Sequence, residues 1–130
     1  MKTKPHVNNE NLDTLEDWLN WLETLHPKEI ELGLERIRCV LGELSLVKLP
    51  FRTIIIGGTN GKGSCVAMLD SIYRCAGYRV GTFTSPHLWR FNERIRFDGQ
   101  EICDESLIEL FRCIENYASG IRAGGIAPIT

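Results

Sequence analysis

The sequence has no strong excess of charge of either sign. Its 130 residues include 15 Lys and Arg and 17 Asp and Glu, which gives a formal net charge of −2 at pH 7. Proteins that bind nucleic acids or anionic membrane surfaces typically carry a clear basic footprint. We therefore expect neither a nucleic acid nor a membrane among the partners of this chain.

Long apolar runs, internal repeats and paired cysteine motifs are also missing. No stretch approaches the about 20 apolar residues that a membrane-spanning helix needs, and the N-terminal residues lack the apolar core of a secretory signal. The five cysteines are odd in number, scattered and never spaced as C-x-x-C. We interpret them as reduced thiols, most of them packed in the core, and we expect a cytoplasmic protein.

The most informative feature that is present is the segment 54–64. A β-branched run leads into a glycine-rich turn that carries one lysine, and a helical pattern follows at once. Glycines let successive backbone N–H groups point at an anion, and the start of a helix adds unpaired N–H groups and a positive dipole end. Lys62 would reach the outer phosphates as a point charge. The segment therefore predicts a phosphate-binding loop for a nucleoside triphosphate.

This segment departs from the general P-loop pattern G-x-x-x-x-G-K-[ST]. The pattern expects glycine at position 56 and a hydroxyl at 63, where the chain has Ile56 and Gly63, and Ser64 comes one place late. The dinucleotide-binding fingerprint G-x-G-x-x-G fits less well, because it would need glycine at position 66, where the chain has Val66. The remaining alternative is a plain glycine turn, although such a turn needs one or two glycines and no lysine.

Four segments have the apolar periodicity of amphipathic helices, with an N-cap at Asp13 or Thr14 before the first and at Asp104 before the last. These segments span residues 14–25, 34–45, 62–75 and 105–118. In the third, the stripe Val66, Leu69, Ile72 and Tyr73 is expected to face inward. Residues 1–13 are polar and are expected to form a flexible arm, so the folded part is 14–130.

Two strands are predicted on either side of the third helix. The unbroken apolar run 51–56 is typical of a strand buried on both faces, and 79–84 forms the second. Together they make a βαβ unit, which favours a parallel sheet with a right-handed crossover. Ligands bind at the carboxyl ends of such strands, so the loop after Thr84 should lie beside the phosphate loop.

A β-hairpin is predicted around Asp98-Gly99, between segments 94–97 and 100–102. Even with it, the plan has fewer strands than a doubly wound sheet usually contains. The predicted fold class is therefore α/β: a partial, truncated P-loop-type domain with a parallel sheet, N-terminal helices and a hairpin.

Three motifs in this order closely resemble folylpolyglutamate synthase, including the bifunctional dihydrofolate synthase of bacteria. They are Gly58-Thr59-Asn60-Gly61-Lys62-Gly63-Ser64, Thr84-Ser85-Pro86-His87-Leu88 and Phe91-Asn92-Glu93-Arg94-Ile95. The stretches 18–26 and 31–36 also resemble the bacterial bifunctional enzyme, so the resemblance runs from about residue 14 to the end. The phosphate loop alone would not separate this family from the related Mur ligases.

The resemblance implies an ATP-dependent amide ligase of folate biosynthesis and one-carbon metabolism, with a Mur-ligase-like ATP-binding domain. In that family ATP phosphorylates a carboxylate of dihydropteroate or folate, and the amine of L-glutamate then attacks the acyl phosphate. The implied cofactors are ATP and Mg²⁺, and the other partners are these small-molecule substrates. We expect a monomer for the full-length protein.

The resemblance also assigns roles to residues at matching positions. Thr59, Asn60, Gly61 and Lys62 match the ATP-contacting loop, which Gly58, Gly63 and Ser64 complete, and Lys62 takes the catalytic role. Ser85 matches a serine that ligates magnesium. Glu31, Leu32, Gly33 and Leu34 match a stretch that contacts dihydropteroate, and Thr130 matches the first residue of a further pterin-contacting segment.

The residues themselves leave alternatives open around the second motif. Ser85-Pro86 is equally well explained as an ordinary turn at a strand end, and His87 is better explained as a loop histidine than as a ligand. Asn92-Glu93-Arg94 fits either a polar network that supports the site or a solvated entrance to the hairpin.

The departure from the family is one of length. The family's glutamate and histidine magnesium ligands, its modified lysine and its C-terminal domain all lie beyond residue 130, so we expect these 130 residues alone to be inactive. Two other functions stay open at this point: part of a Mur-type cell-wall ligase, and a non-catalytic nucleotide-binding module or gene remnant.

Overall fold

The computed structural model of the chain describes residues 12–24, 34–46 and 48–123. These residues form two compact units, one comprising the chain up to Pro50 and from Ile108 onward, the other Phe51–Leu107. The described helices are α1 (Leu15–Thr24), α2 (Glu35–Glu43), α3 (Lys62–Cys75), a 3₁₀ turn (Phe91–Arg94) and α4 (Asp104–Ala123). The described strands are β1 (Gly81–Phe83), β2 (Ile95–Phe97) and β3 (Gln100–Glu101).

Helix α1 begins at a reciprocal cap, as its sequence predicts. The backbone N–H of Asp17 donates to the Thr14 hydroxyl at 3.1 Å, and the N–H of Thr14 donates to the Asp17 carboxylate, also at 3.1 Å. The Thr14 hydroxyl donates to the same carboxylate at 2.6 Å. Two otherwise unpaired donors at the helix start are thereby satisfied.

The core of the first unit is aromatic. Trp18 and Trp21 are buried with their rings edge to face at 5.5 Å, and Trp18 also lies 5.9 Å from the ring of Phe111. The indole N–H of Trp18 donates to the carbonyl of Leu12 at 3.0 Å, so the polar atom of this buried side chain is paired. The apolar periodicity predicted for the first and last helices is confirmed by this cluster.

The second unit contains a three-stranded antiparallel sheet in the order β1-β2-β3. Strands β2 and β3 are joined by Asp98-Gly99, where both residues have positive φ (49° and 82°), as a tight hairpin turn requires. The Asp98 carboxylate accepts from the N–H of Val80 at 2.7 Å, which fixes the turn to the start of β1. The predicted hairpin is confirmed.

Helix α3 has the predicted bounds, and a glycine follows its C-cap. Gly77 has φ 84°, its N–H donates to the carbonyl of Arg74 at 3.0 Å, and the N–H of Tyr78 donates to that of Tyr73 at 3.0 Å. This is the hydrogen-bond pattern of a helix that closes on a left-handed residue.

The predicted parallel sheet is not present among the described residues. No strand is assigned over 51–56, where Phe51, Ile54 and Ile55 are exposed, and β1 pairs with β2 in antiparallel fashion. A strand with two apolar faces is buried only between helices and neighbouring strands, and none of the described strands pairs with this segment.

Three predictions of burial are also wrong in part. Helix α3 has no buried residue, and Ile72 of its predicted inward stripe is 59% exposed. In α2 the apolar periodicity predicts the stripe Leu34, Ile37, Leu41 and Leu44, but the buried residue is Val40 and Ile37 is half exposed. Four of the five cysteines are exposed rather than packed in a core, namely Cys65, Cys75, Cys103 and Cys113, and all five are free.

Candidate functional site

The glycine loop between the extended segment and α3 requires glycine at two places. Gly58 has φ 146° and Gly61 has φ 73°, values that other residues adopt only with strain. Gly61 is also the N-cap of α3, and no side chain caps this helix. Helix α3 therefore starts at this loop without a side-chain cap.

The glycines of this loop have open space on the side where a side chain would begin. A Cβ atom built at Gly57, Gly61 or Gly63 would meet no atom within 4 Å, and one at Gly58 would meet only the carbonyl of Asn60 and the stem of Lys62. The first N–H of α3 with a partner inside the helix is that of Cys65, which donates to Gly61 at 3.0 Å. The preceding N–H groups have no intrahelical acceptor, and the positive end of the helix dipole adds to them. This arrangement suits an anion.

The lysine of the loop folds over it. The Lys62 ammonium donates to the carbonyl of Gly58 at 2.8 Å and to that of Thr59 at 3.2 Å. An ammonium has three protons, so these two contacts leave one donor for a ligand. Lys62 thus stabilises the loop and holds a positive charge beside its amides.

The second motif forms a loop directly after β1. The N–H of Thr84 donates to the carbonyl of Arg94 at 2.9 Å, which extends the β1–β2 pairing by one residue. Ser85 follows as an exposed residue, and the Ser85–Pro86 peptide bond is cis. The hydroxyl is a hard oxygen donor of the kind that Mg²⁺ accepts.

One carboxylate binds three consecutive backbone N–H groups of this loop. Glu93 accepts from Leu88 at 2.8 Å, from Trp89 at 2.7 Å and from Arg90 at 2.8 Å. The N–H of Leu88 and then that of Arg90 are the main causes that lower the pKa of Glu93 below its usual value, with smaller contributions from Trp89 and His87. The ionised form is therefore the one that this loop holds.

The neighbouring arginine binds the same loop through a side chain. Arg94 Nε donates to Nδ1 of His87 at 2.8 Å, and its guanidinium lies over the ring of Phe91, 5.0 Å from the centroid. Since Nδ1 accepts this bond, a neutral His87 carries its proton on Nε2. The alternative of a polar network at Asn92-Glu93-Arg94 is therefore confirmed, and His87 is a paired loop histidine.

The buried amide of Asn92 fixes the base of this network. Its Nδ2 donates to the carbonyl of Ile102 at 2.9 Å and to the Asp104 carboxylate at 2.7 Å. A second set of ion pairs joins Glu101 to Arg90 at 3.2 Å and to Arg96 at 3.1 Å. Sequence reasoning found the Asn-Glu-Arg motif but missed Glu101, whose only signal is a charge opposite Arg96 in the hairpin register.

The predicted site residues are only partly within the described structure. The phosphate loop Gly58–Ser64 and Ser85 belong to the same compact unit. Leu34 is described as an exposed residue at the start of α2, whereas Glu31–Gly33 and Thr130 lie outside the described residues. Among the described residues, no group of three or more His, Cys, Asp or Glu side chains is arranged to hold a metal ion.

Comparisons with known proteins place the fold in the α/β class. The structure matches the bifunctional folylpolyglutamate synthase/dihydrofolate synthase of Yersinia pestis with a TM-score of 0.75 and 43% identity, over 80% of this chain and 26% of that one. The folylpolyglutamate synthetase of Lactobacillus casei matches with a TM-score of 0.77 at 27% identity, over 85% of this chain and 28% of that one. The predicted fold class, a Mur-ligase-like α/β domain, is thereby confirmed.

Sequence comparison relates the chain to one family of enzymes. The chain is 44% identical over 102 residues to the dihydrofolate synthase/folylpolyglutamate synthase of Escherichia coli, which is 78% of this chain and 24% of that protein. No protein-family model matches the chain. Over most of its length the chain is similar to members of the folylpolyglutamate synthase/dihydrofolate synthase family, and it spans about a quarter of the length of the curated relatives it matches.

Proposed function

We propose that this chain holds the triphosphate of Mg·ATP for an amide ligase of folate biosynthesis, which adds L-glutamate to dihydropteroate or to folates through an acyl phosphate. The observation that carries the proposal is the open glycine loop at the start of α3, with the Lys62 ammonium folded over it. Solved relatives support it: E. coli FolC is in complex with DHPP and ADP, and a bifunctional relative has Mn, AMPPNP and L-glutamate bound.

The loop residues supply charge neutralisation. Transfer of a phosphoryl group to a carboxylate spreads negative charge over phosphoryl oxygens, and fixed donors aimed at those oxygens stabilise that charge. The backbone N–H groups of residues 61–64 and the remaining donor of Lys62 are such groups. Thr59 and Asn60 shape the loop around them.

Ser85 fits the role of one magnesium ligand, because its hydroxyl is exposed at the end of a strand and is a hard donor. One hydroxyl does not complete an octahedral shell, so carboxylate, water and phosphate oxygens must supply the other positions. A magnesium ion held there would supply positive charge against the phosphoryl oxygens.

The remaining assignments extend the same proposal. Glu31–Leu34 and Thr130 would contact the pterin substrate, and residues 14–130 would form part of the ATP-binding domain. We expect a cytoplasmic location, nucleotide binding rather than a complete ligase reaction from the 130 residues alone, and a monomer for the full-length protein. Over the described residues, none of the helices has the length and apolarity that crossing a bilayer would require.

The test is calorimetric titration of the 130-residue chain with Mg·ATP, before and after Lys62→Ala. Hydrogen bonds to charged groups contribute about 1.5–3 kcal/mol, so we expect the variant to bind about 10- to 100-fold more weakly. Thermal stability should change little, because Lys62 is exposed and bonds only to exposed carbonyls. Lys48→Ala, an equal charge change at an exposed residue of the other unit, is the control. Equal affinities of Lys62→Ala and Lys48→Ala would overturn the proposal.

A further inference from the structure

Two adjacent residues, Glu93 and Arg94, make hydrogen bonds to the loop after β1 that contains Ser85. On the N-terminal side, the carbonyl of Arg94 accepts from the N–H of Thr84, the residue directly before Ser85. On the C-terminal side, Arg94 Nε donates to His87, two residues after Ser85. Ser85 thus lies between two anchors that belong to one residue of the 3₁₀ turn.

Glu93 binds the C-terminal part of the same loop. Its Oε2 accepts from the N–H of Leu88, and its Oε1 accepts from those of Trp89 and Arg90. The side chains of Leu88 and Trp89 are more than 80% exposed, so apolar packing does not hold this part of the chain. The loop therefore owes its conformation to hydrogen bonds, and the carboxylate supplies three of them.

The 3₁₀ turn that presents Glu93 and Arg94 is itself fixed. Asn92, which is almost fully buried, bonds to the carbonyl of Ile102 and to the Asp104 carboxylate at the start of α4. Because Asn92 fixes the 3₁₀ turn, the side chains of Glu93 and Arg94 can hold an exposed residue in place, whereas a freely rotating carboxylate cannot.

We propose that Glu93 is a positioning residue that holds Ser85 where its hydroxyl reaches a divalent cation on bound nucleotide. This inference rests on the proposed function, because it takes Ser85 as the metal-binding residue of the Mg·ATP site. Removing a residue that hydrogen-bonds to a metal ligand commonly lowers metal affinity about 10- to 100-fold. Glu93 differs from such a partner only in acting through the backbone of the loop.

The test uses Glu93→Gln, which is nearly isosteric and removes the charge. An amide keeps one acceptor oxygen and brings an NH₂ donor against at least one backbone N–H, so the three-fold contact cannot be kept. Affinity for ATP is measured on the 130-residue chain in Mg²⁺ and in EDTA, and the ratio of the two affinities reports the contribution of the metal. Glu109→Gln, the same change on an exposed face of α4, is the control.

We expect the ratio to fall about 10-fold in Glu93→Gln and to stay unchanged in Glu109→Gln. Affinity in EDTA should be the same in all three proteins, because it depends on the Gly58–Lys62 loop. A purely structural role would instead lower both affinities together, and that result would overturn the inference.

A double-mutant cycle with Ser85→Ala keeps the test decisive even where Glu93→Gln lowers stability. If Glu93 acts through Ser85, Glu93→Gln has no further effect on the ratio once the hydroxyl is gone. Additive effects would overturn the inference while leaving the proposed function intact. A wild-type chain that binds ATP equally well in Mg²⁺ and in EDTA would instead refute the metal site itself, so the two failures are distinguishable.

Discussion

Two glycines of the phosphate loop have the same free space and different backbone conformations, so their substitution separates strain from crowding. A Cβ at Gly61 or at Gly63 would meet no atom within 4 Å. Gly61, however, has φ 73°, whereas Gly63 lies inside α3. The expected effects of replacing each by alanine therefore have opposite signs.

Gly61→Ala places a side chain in the left-handed region, which costs about 1–2 kcal/mol. If the loop keeps its conformation, the strain is the same with and without ATP and the affinity is unchanged. If the loop changes conformation to relieve the strain, ATP binds more weakly by at most the same free energy, about 5- to 30-fold. Gly63→Ala replaces a helical glycine and should stabilise the fold by up to about 0.5–1 kcal/mol.

Urea denaturation gives the free energies of unfolding, and calorimetric titration with Mg·ATP gives the affinities. Destabilisation by Gly61→Ala together with neutral or raised stability in Gly63→Ala is the expected result. Equal destabilisation by both substitutions would mean that crowding, not the positive φ, limits the loop.

Two further predictions concern the hairpin and pH. Gly99→Ala should lower the free energy of unfolding by about 1–2 kcal/mol, because Gly99 has φ 82° and its added Cβ would lie 2.8 Å from the movable guanidinium of Arg74. Gly42→Ala in helix α2, where an added Cβ meets no atom within 4 Å, should raise the free energy of unfolding by about 0.5–1 kcal/mol. Urea denaturation of both variants checks these two effects. The pKa values of Asp17 and Glu93 are lowered, chiefly by the Thr14 side chain and the Leu88 N–H respectively. Their contribution to stability is therefore present above the unfolded-state pKa of each carboxyl and is lost as pH falls through the lower folded-state pKa. Melting temperatures of wild type and Glu93→Gln should converge at acid pH, and a constant difference between pH 7 and pH 3 would contradict this sign.

The parts of the structure that sequence reasoning predicted well are those with local determinants. The bounds of α3 follow from Gly61 and Gly77, the hairpin follows from Asp98-Gly99, and the start of α1 follows from the Thr14–Asp17 cap. Each depends on hydrogen bonds between residues close in sequence, so the local pattern contains the information needed.

Most of the misjudged parts depend on residues far apart in sequence. A run such as Ile54-Ile55-Ile56 indicates a buried strand only when neighbouring strands pair with it, and the segment itself does not specify them. The triple contact of Glu93 was missed for a different reason. Its partners lie only three to five residues away, but a carboxylate three residues after Arg90 predicts a turn start and not two additional N–H partners.

The phosphate loop is held by local contacts, and the segment before it is unpaired among the described strands. The two glycines with positive φ set the path of the chain, and Lys62 joins the carbonyls of Gly58 and Thr59 to the first turn of α3. None of these contacts involves a strand. A locally determined loop of this kind does not need a paired strand before it to bind an anion, whereas Ser85 needs the β1–β2 pairing to be placed at all. Substitutions that break β1–β2 pairing should therefore remove the metal-dependent part of ATP affinity and spare the part measured in EDTA.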